Sequence, residues 1–273
     1  MRTPFIALSP ACLSLAGAAV SMPPLQSEPM LAAAVESSTR TPANVARDPY
    51  RHPAETLAFF GVKPTDSVVE IWPGGGWYTE ILAPYVAARG KLTIVAPPGR
   101  PSEGIAAKLD KDAATYGKVA RANFPSALGG TGVAPGSVDK VLTFRNVHNW
   151  RMGYLRPDKT DYSADAFKEI YAMLKPGGVL GIEDHRLPES ADSERERSSG
   201  YMKVSTIRKL AEDAGFQFAG SSEVNANPKD THDWPDGVWT LPPSYRLGDK
   251  DREKYAAIGE SDRMTLKFVK PAK

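Results

Sequence analysis

Cysteine is nearly absent from this 273-residue sequence: Cys12 is the single thiol. If processing removes it, the mature chain has no disulfide, no thiolate metal site and no cysteine nucleophile. A dominant charge is also lacking. The 34 basic and 32 acidic residues leave a net charge of +2, so no electrostatic footprint for nucleic acid or an anionic membrane exists. The apolar stretch from Phe5 to Val20 falls short of the roughly 20 residues a bilayer requires, so no stable membrane span is expected. Three chemical signatures are missing. No Gly-Lys-Ser/Thr follows a glycine turn, which excludes a P-loop. No His-x-x-x-His pair occurs among the four histidines, so no metal site is expected. No Gly-x-Ser-x-Gly elbow is present, so a serine hydrolase lacks its main signature.

What is present begins with a targeting pattern. Arg2 gives a short positive start, and Phe5 to Val20 is apolar and small, interrupted by Ser9, Pro10 and Ser14. Ala16-Gly17-Ala18, Gly17-Ala18-Ala19 and Ala32-Ala33-Ala34 offer cleavage sites. Residues 1–34 are therefore expected to be signal peptide and processing region, and the protein to be exported, in the periplasm. The alternative is a disordered apolar N-terminus on a cytosolic protein. Residues 35–49 read as a flexible lead-in.

From residue 50 onward, helical and strand-like segments alternate, which favours an α/β fold in one domain over 50–273. Strands are expected at 67–72, 91–96, 119–124, 137–147, 179–185, 216–224 and 263–270. Helices are expected at 52–62, 77–90, 102–117, 163–178 and 204–215, the third with Ser102 as N-cap. Pro84 should bend or shorten the second. Two stretches break the rhythm. "ESADSERERSSG", within 186–203, is a charged loop expected to be solvated. Residues 225–262 form a long insertion carrying Trp234, Trp239 and Tyr245, which would be costly to leave in water. They either cover the sheet edge or form a lid.

The stretch "VVEIWPGGGWYTEIL" (68–82) places an acid and three adjacent glycines between a strand and a helix. Glycines let backbone approach a ligand closely, and the turn presents N–H groups at a helix start. A dinucleotide site would instead have Gly-x-Gly-x-x-Gly and an acid about 20 residues on. Here the second strand ends "IVAPPG" without an acid.

This stretch resembles motif I of the class I S-adenosylmethionine-dependent methyltransferases. "SVDKVLTFRNVHNW" (137–150) and "MLKPGGVLGIED" (173–184) resemble that family's fourth- and fifth-strand motifs. "EIWPGGGWYT" and "FRNVHNW" look like a group of predicted bacterial methyltransferases that carry signal peptides. The resemblance covers about residues 50–225 and the final strand. It implies a Rossmann-like seven-stranded sheet with helices on both faces, and S-adenosylmethionine as cofactor. Cofactor-binding positions implied are Glu70, Pro73, Gly74, Gly75, Gly76, Tyr78, Asn123, Phe124, Arg145 and Asn146. Three departures stand out: Trp72 replaces the first motif glycine, Ala96-Pro97-Pro98 replace the ribose-binding acid, and Asn123 replaces an adenine-binding acid.

Methyl transfer to oxygen or nitrogen needs positioning and often a base. His148 follows the fourth strand, whose end faces the transferred methyl in the family. It resembles the histidine base of an "HDW" segment in some O-methyltransferases, with Asn149 in place of the acid. His185 ends the fifth strand, and the carboxyl ends of strands are where such sheets bind ligands. Both are catalytic candidates. Glu183, Asp184 and His185 give only an incomplete metal set. His232 could close over a substrate from the insertion, and His52 could approach the cofactor pocket. The expected function is methyl transfer to a small-molecule acceptor. The alternatives are a non-catalytic ligand-binding protein on the same scaffold and, less favoured, a nicotinamide-dependent oxidoreductase.

Overall fold

The computed structural model describes residues 29–272. Cys12, the apolar stretch and the cleavage options at 16–19 lie outside the described residues. Seven strands form one sheet: β1 (Ser67–Ile71), β2 (Lys91–Ala96), β3 (Ala120–Asn123), β4 (Val138–Phe144), β5 (Leu174–His185), β6 (Gln217–Ser222) and β7 (Arg263–Val269). Their order is β3-β2-β1-β4-β5-β7-β6. The strands from β3 to β5 pair in parallel, and β7 runs antiparallel to β5 and β6. This is the sheet the family resemblance implies, and each expected strand is present with its ends shifted by a few residues.

Alternation along the strands divides the core between two faces. Val69 and Ile71 of β1 join Val141, Phe167, Ile170 and Ile207 on one face. Val68 joins Leu57, Phe60, Ile81, Leu82 and Leu142 on the other. A side chain at Gly181 of β5 would force a shift, because a Cβ there would stand 2.6 Å from the ring of Phe60.

Eleven α-helices occur among the described residues: α1 (Pro29–Val35), α2 (Pro42–Val45), α3 (Asp48–Arg51), α4 (Pro53–Phe60), α5 (Thr79–Val86), α6 (Arg100–Asp110), α7 (Ala113–Tyr116), α8 (Val147–Arg151), α9 (Ser163–Met173), α10 (Val204–Asp213) and α11 (Arg252–Ile258). None is long and apolar enough to cross a membrane. The helix expected over 102–117 is two helices, broken where Asp112 caps the second through Thr115 N at 3.1 Å. Gly99, not Ser102, is the N-cap of α6. Pro84 remains inside α5, which ends at Val86.

The lead-in differs most from expectation. Residues 35–49 are held to the domain rather than flexible. Leu31 and Ala34, three apart on α1, are buried in the core beside α5. Arg40 donates to Val35 O and forms an ion pair with Asp48, both at 2.6 Å. Thr41 Oγ1 donates to Glu80 at 2.6 Å. The Ala32-Ala33-Ala34 option lies within α1 itself. The charged loop also contains one buried acid: Glu196 accepts from Lys203 N at 2.8 Å and Thr206 Oγ1 at 3.1 Å.

Candidate active site

The sheet order reverses between β1 and β4, which opens a crevice at the carboxyl ends of the strands. Three adjoining cavities run across it. The first, about 290 Å³, is lined by Glu70, Pro73, Gly74, Gly75, Tyr78, Arg145 and Asn146, with Arg47 and Arg51 opposite. The second, about 480 Å³, lies toward β2 and is lined by Ala96, Pro97, Arg100, Ile105, Tyr154 and Leu155. The third, about 220 Å³, lies toward β5 and is lined by His148, Asn149, His185, Trp239 and Ser244. Trp72, Gly74, Gly75 and Asn146 are shared by the first two cavities; Arg51, Arg145 and Pro243 are shared by the first and third.

The glycine turn serves two ends. Built Cβ atoms on Gly74 and Gly75 meet nothing within 4 Å, so the space over the turn is open to a ligand. Gly76 has a different role: it has φ +79, its Cβ would meet Ile105 at 3.0 Å, and it lines none of the three cavities. Glu70 accepts from Thr79 Oγ1 at 2.6 Å, tying the end of β1 to the start of α5. Burial raises its carboxyl to about 7. Tyr78 stacks on Phe144 with ring centres 3.5 Å apart, and burial pushes its hydroxyl well above the usual tyrosine range.

Trp72 has φ +48, the left-handed region a glycine would occupy freely. Such a conformation persists only when surrounding contacts hold it. Its N–H donates to Val95 O at 2.7 Å, and its indole Nε1 donates to Phe124 O at 3.1 Å. Its ring meets Trp150 and Tyr154 edge-on at 6.2 and 6.5 Å. The side chain forms part of the wall between the first and second cavities.

Asn123 and Phe124 do not line any of these cavities. Asn123 Nδ2 donates to Ala96 O at 3.2 Å, and the Phe124 ring is fully buried in the core. Asn146 lines two cavities. It donates to Ile71 O at 2.9 Å and Thr143 Oγ1 at 3.2 Å, which leaves its Oδ1 without a partner among the described residues.

His148 and His185 come together with ring centres 5.1 Å apart. His148 Nδ1 donates to Asp184 Oδ1 at 2.8 Å, and Asp184 Oδ2 accepts the His148 backbone N–H at 3.2 Å. A carboxylate at Nδ1 fixes the tautomer and leaves the Nε2 lone pair available. The acid that Asn149 lacks is thus supplied from β5. His185 Nδ1 lies 2.5 Å from Ser261 Oγ. Burial, His148 and three nearby arginines hold His185 far below the usual histidine range, so it is neutral.

His148, Asp184 and His185 each offer a ligand atom within 4.8 Å of the others. Both Asp184 oxygens already accept N–H groups, Oδ1 also from His185 N at 2.8 Å. His232 lies instead on Asp262 at 3.3 Å, and His52 is the N-cap of α4; neither lines the cavities.

The insertion covers the third cavity. Asp230 accepts from Tyr201 Oη, Trp234 Nε1 and Asp262 N, pinning the segment to the β7 end of the sheet. Trp239 stands 6.1 Å from His148, ring to ring. Trp239 belongs to the insertion expected to cover the sheet edge or form a lid, whereas Arg47, Arg51 and Glu260 escape the sequence reading. Arg47 and Arg51 are four apart, a legible helical pair. Their partner Glu260 is 213 and 209 residues away, which no local pattern reports.

No protein-family model and no curated protein matches the sequence. Solved structures do match, with low identity. A SAM-dependent methyltransferase from Aquifex aeolicus is 16% identical, with a TM-score of 0.54 over 82% of this chain and 93% of that one. The 4+2 cyclase SpnF is 15% identical, with a TM-score of 0.56 over 87% and 86%. A geranyl diphosphate methyltransferase solved in complex with SAM is 13% identical, with a TM-score of 0.52 over 88% and 94%. These likenesses establish the class I, Rossmann-like methyltransferase fold.

Proposed function

We propose that this chain transfers a methyl group from S-adenosylmethionine to an oxygen or nitrogen of a small molecule. One observation carries the reading: the cavity over the open glycine turn shares Arg51, Arg145 and Pro243 with a neighbouring cavity walled by His148, whose Nδ1 is held by the buried Asp184. The residues fit the cofactor. The methionine part would lie in the first cavity over Gly74 and Gly75, where Arg47 Nη2 is buried without a partner. The adenosine part would lie in the second, between Ile105, Pro97 and Leu155, with Asn146 Oδ1 available to a hydroxyl. The likeness of the fold to methyltransferases supports the same assignment.

When bound, the cofactor supplies an electrophilic methyl on a sulfonium. The chain supplies position and a proton acceptor. His148 Nε2 takes the proton of the acceptor, and Asp184 holds the ring and stabilises the charge that develops. His185, kept neutral, lines the same wall. Trp239 and Pro243 narrow the cavity and restrict water. We also propose export, from the N-terminal pattern; an uncleaved N-terminus found in the cytosol would overturn it.

Titration of the purified chain with S-adenosylmethionine, S-adenosylhomocysteine and NAD tests the reading. Micromolar binding of the first two is expected. Tight binding of NAD alone would sink it. A metabolite screen for methyl transfer then identifies the acceptor.

A further inference from the structure

Four guanidiniums share two carboxylates where the first and third cavities meet. Arg47 and Arg51 reach Glu260 at 2.7 and 3.0 Å. Arg263 bridges Glu260 at 2.9 Å and Glu183 at 3.2 Å, and Arg145 holds Glu183 at 3.1 Å. The ion-pair network retains an excess of positive charge.

Arg51 decides where that excess points. The residue is 3% exposed. Only its Nε donates, to the two oxygens of Glu260 at 3.3 and 3.0 Å. Its two terminal amino groups make no hydrogen bond among the described residues, yet the side chain lines both cavities. Arg145 likewise donates to side chains from Nη1 alone. Guanidinium N–H groups that open unpaired onto a cavity can take a partner from a ligand, and their planar fork matches the edge of a carboxylate or phosphate. Burial and the neighbouring Arg145 push Arg51 down to about 9, so its surroundings disfavour another cation there.

Two other occupants fit less well. A divalent cation at His148, Asp184 and His185 would meet this positive field and a carboxylate whose oxygens are already committed. The proposed cofactor, with a sulfonium, an ammonium and a carboxylate, carries a net positive charge itself. Its binding would raise the excess rather than remove it.

We propose that the acceptor molecule bears an oxyanion, a carboxylate or a phosphate, which seats on Arg51 and Arg145 beside His148. The proposal rests on the methyltransferase reading above. It makes the network a specificity device: neutral and cationic analogues of the acceptor are excluded by the unpaired guanidinium groups they would leave behind.

The test uses the full chain saturated with S-adenosylhomocysteine. Benzoate and inorganic phosphate are titrated separately, with benzylamine as the cationic control, following tryptophan fluorescence. At least one anion is expected to bind and benzylamine not to; which anion binds separates carboxylate from phosphate. Arg51→Gln should weaken the anion by at least about tenfold, with S-adenosylhomocysteine held within about threefold. Ser244→Asp, at the exposed lip of the cavity, leaves the network intact and should weaken the anion by about fivefold or more. Binding of neither anion overturns the proposal. So does anion binding unchanged in both variants. Equal loss of S-adenosylhomocysteine and anion in Arg51→Gln also overturns it, by assigning Arg51 to the cofactor carboxylate. If S-adenosylhomocysteine fails to bind the natural sequence while anion binding still depends on Arg51, the anion site stands and the methyltransferase reading falls.

Discussion

On the β1–β2 side of the crevice, the walls are mostly backbone and apolar side chain, with Gly74, Gly75, Ala96, Pro97, Ile105 and Leu155 beside the single charged residue Arg100. On the β4–β5 side they are Arg51, Arg145, His148, His185 and Glu260. The first side selects a ligand by shape and by backbone N–H groups. The second selects by charge and can move a proton. The two sides fail differently when altered. A methyl added to the first blocks space and leaves the fold intact, whereas an ionisable group removed from the second leaves its partner buried and unmatched.

Five substitutions test that contrast. His148→Ala removes the proposed base and should lower turnover by about 10²–10⁴-fold, with S-adenosylhomocysteine affinity nearly unchanged. Unchanged turnover would remove His148 from the mechanism. Glu183→Gln should act on folding instead. Arg145 and Arg263 would lose their shared buried carboxylate, at a cost of about 3–5 kcal/mol measurable by urea denaturation. Equal stability would show that the charged side is as tolerant as the apolar side.

Glu70 sharpens the comparison through pH. Its carboxyl is raised from 4.5 to about 7 by burial. Between these values the folded chain holds a proton that the unfolded chain has released. Its contribution is therefore fully present below about pH 4.5 and is lost as pH rises toward 7, by up to about 3 kcal/mol. Glu70→Gln should flatten that part of the stability profile, compared by denaturation at intervals from pH 5 to 7.5. A slope that persists in the variant would assign it to another group.

The smallest effect is expected at Gly75. Gly75→Ala places a methyl in open space and should leave stability within about 0.5 kcal/mol. S-adenosylhomocysteine binding should weaken about tenfold, roughly 1.4 kcal/mol. Gly181→Ala is the counterpart, because its Cβ would strike the Phe60 ring and cost about 1–3 kcal/mol of stability. If Gly75→Ala leaves binding unaltered, the turn is not a cofactor site.

Much of the first side was legible in the sequence, because its parts are contiguous. A strand, an acid, three glycines and a helix occur within 15 residues, and Glu70, Pro73, Gly74, Gly75 and Tyr78 all line the first cavity. Asn123 and Phe124 do not line the three cavities, and a strand's period says which residues share a face, not which reach past its end. Phe124 turns into the core, and its carbonyl instead anchors Trp72. The lead-in has a loop-like composition, but Thr41, Asn44 and Arg47 tie it to Glu80, Trp77 and Glu260, partners that no local pattern reports.

Strand–helix alternation, the glycine turn and the two histidines at strand ends can be read from the chain alone, because each rests on neighbours within one or two turns of chain. That Asp184 serves His148, that Trp72 is held by Phe124 and Trp150, and that Arg47 and Arg51 share Glu260 across more than 200 residues emerges from the folded chain. Local propensity and periodicity act through short-range sterics and hydrogen bonding. The partners of a buried charge are chosen by which strand ends and loops the completed sheet brings within about 4 Å, and that distance is set by the whole fold.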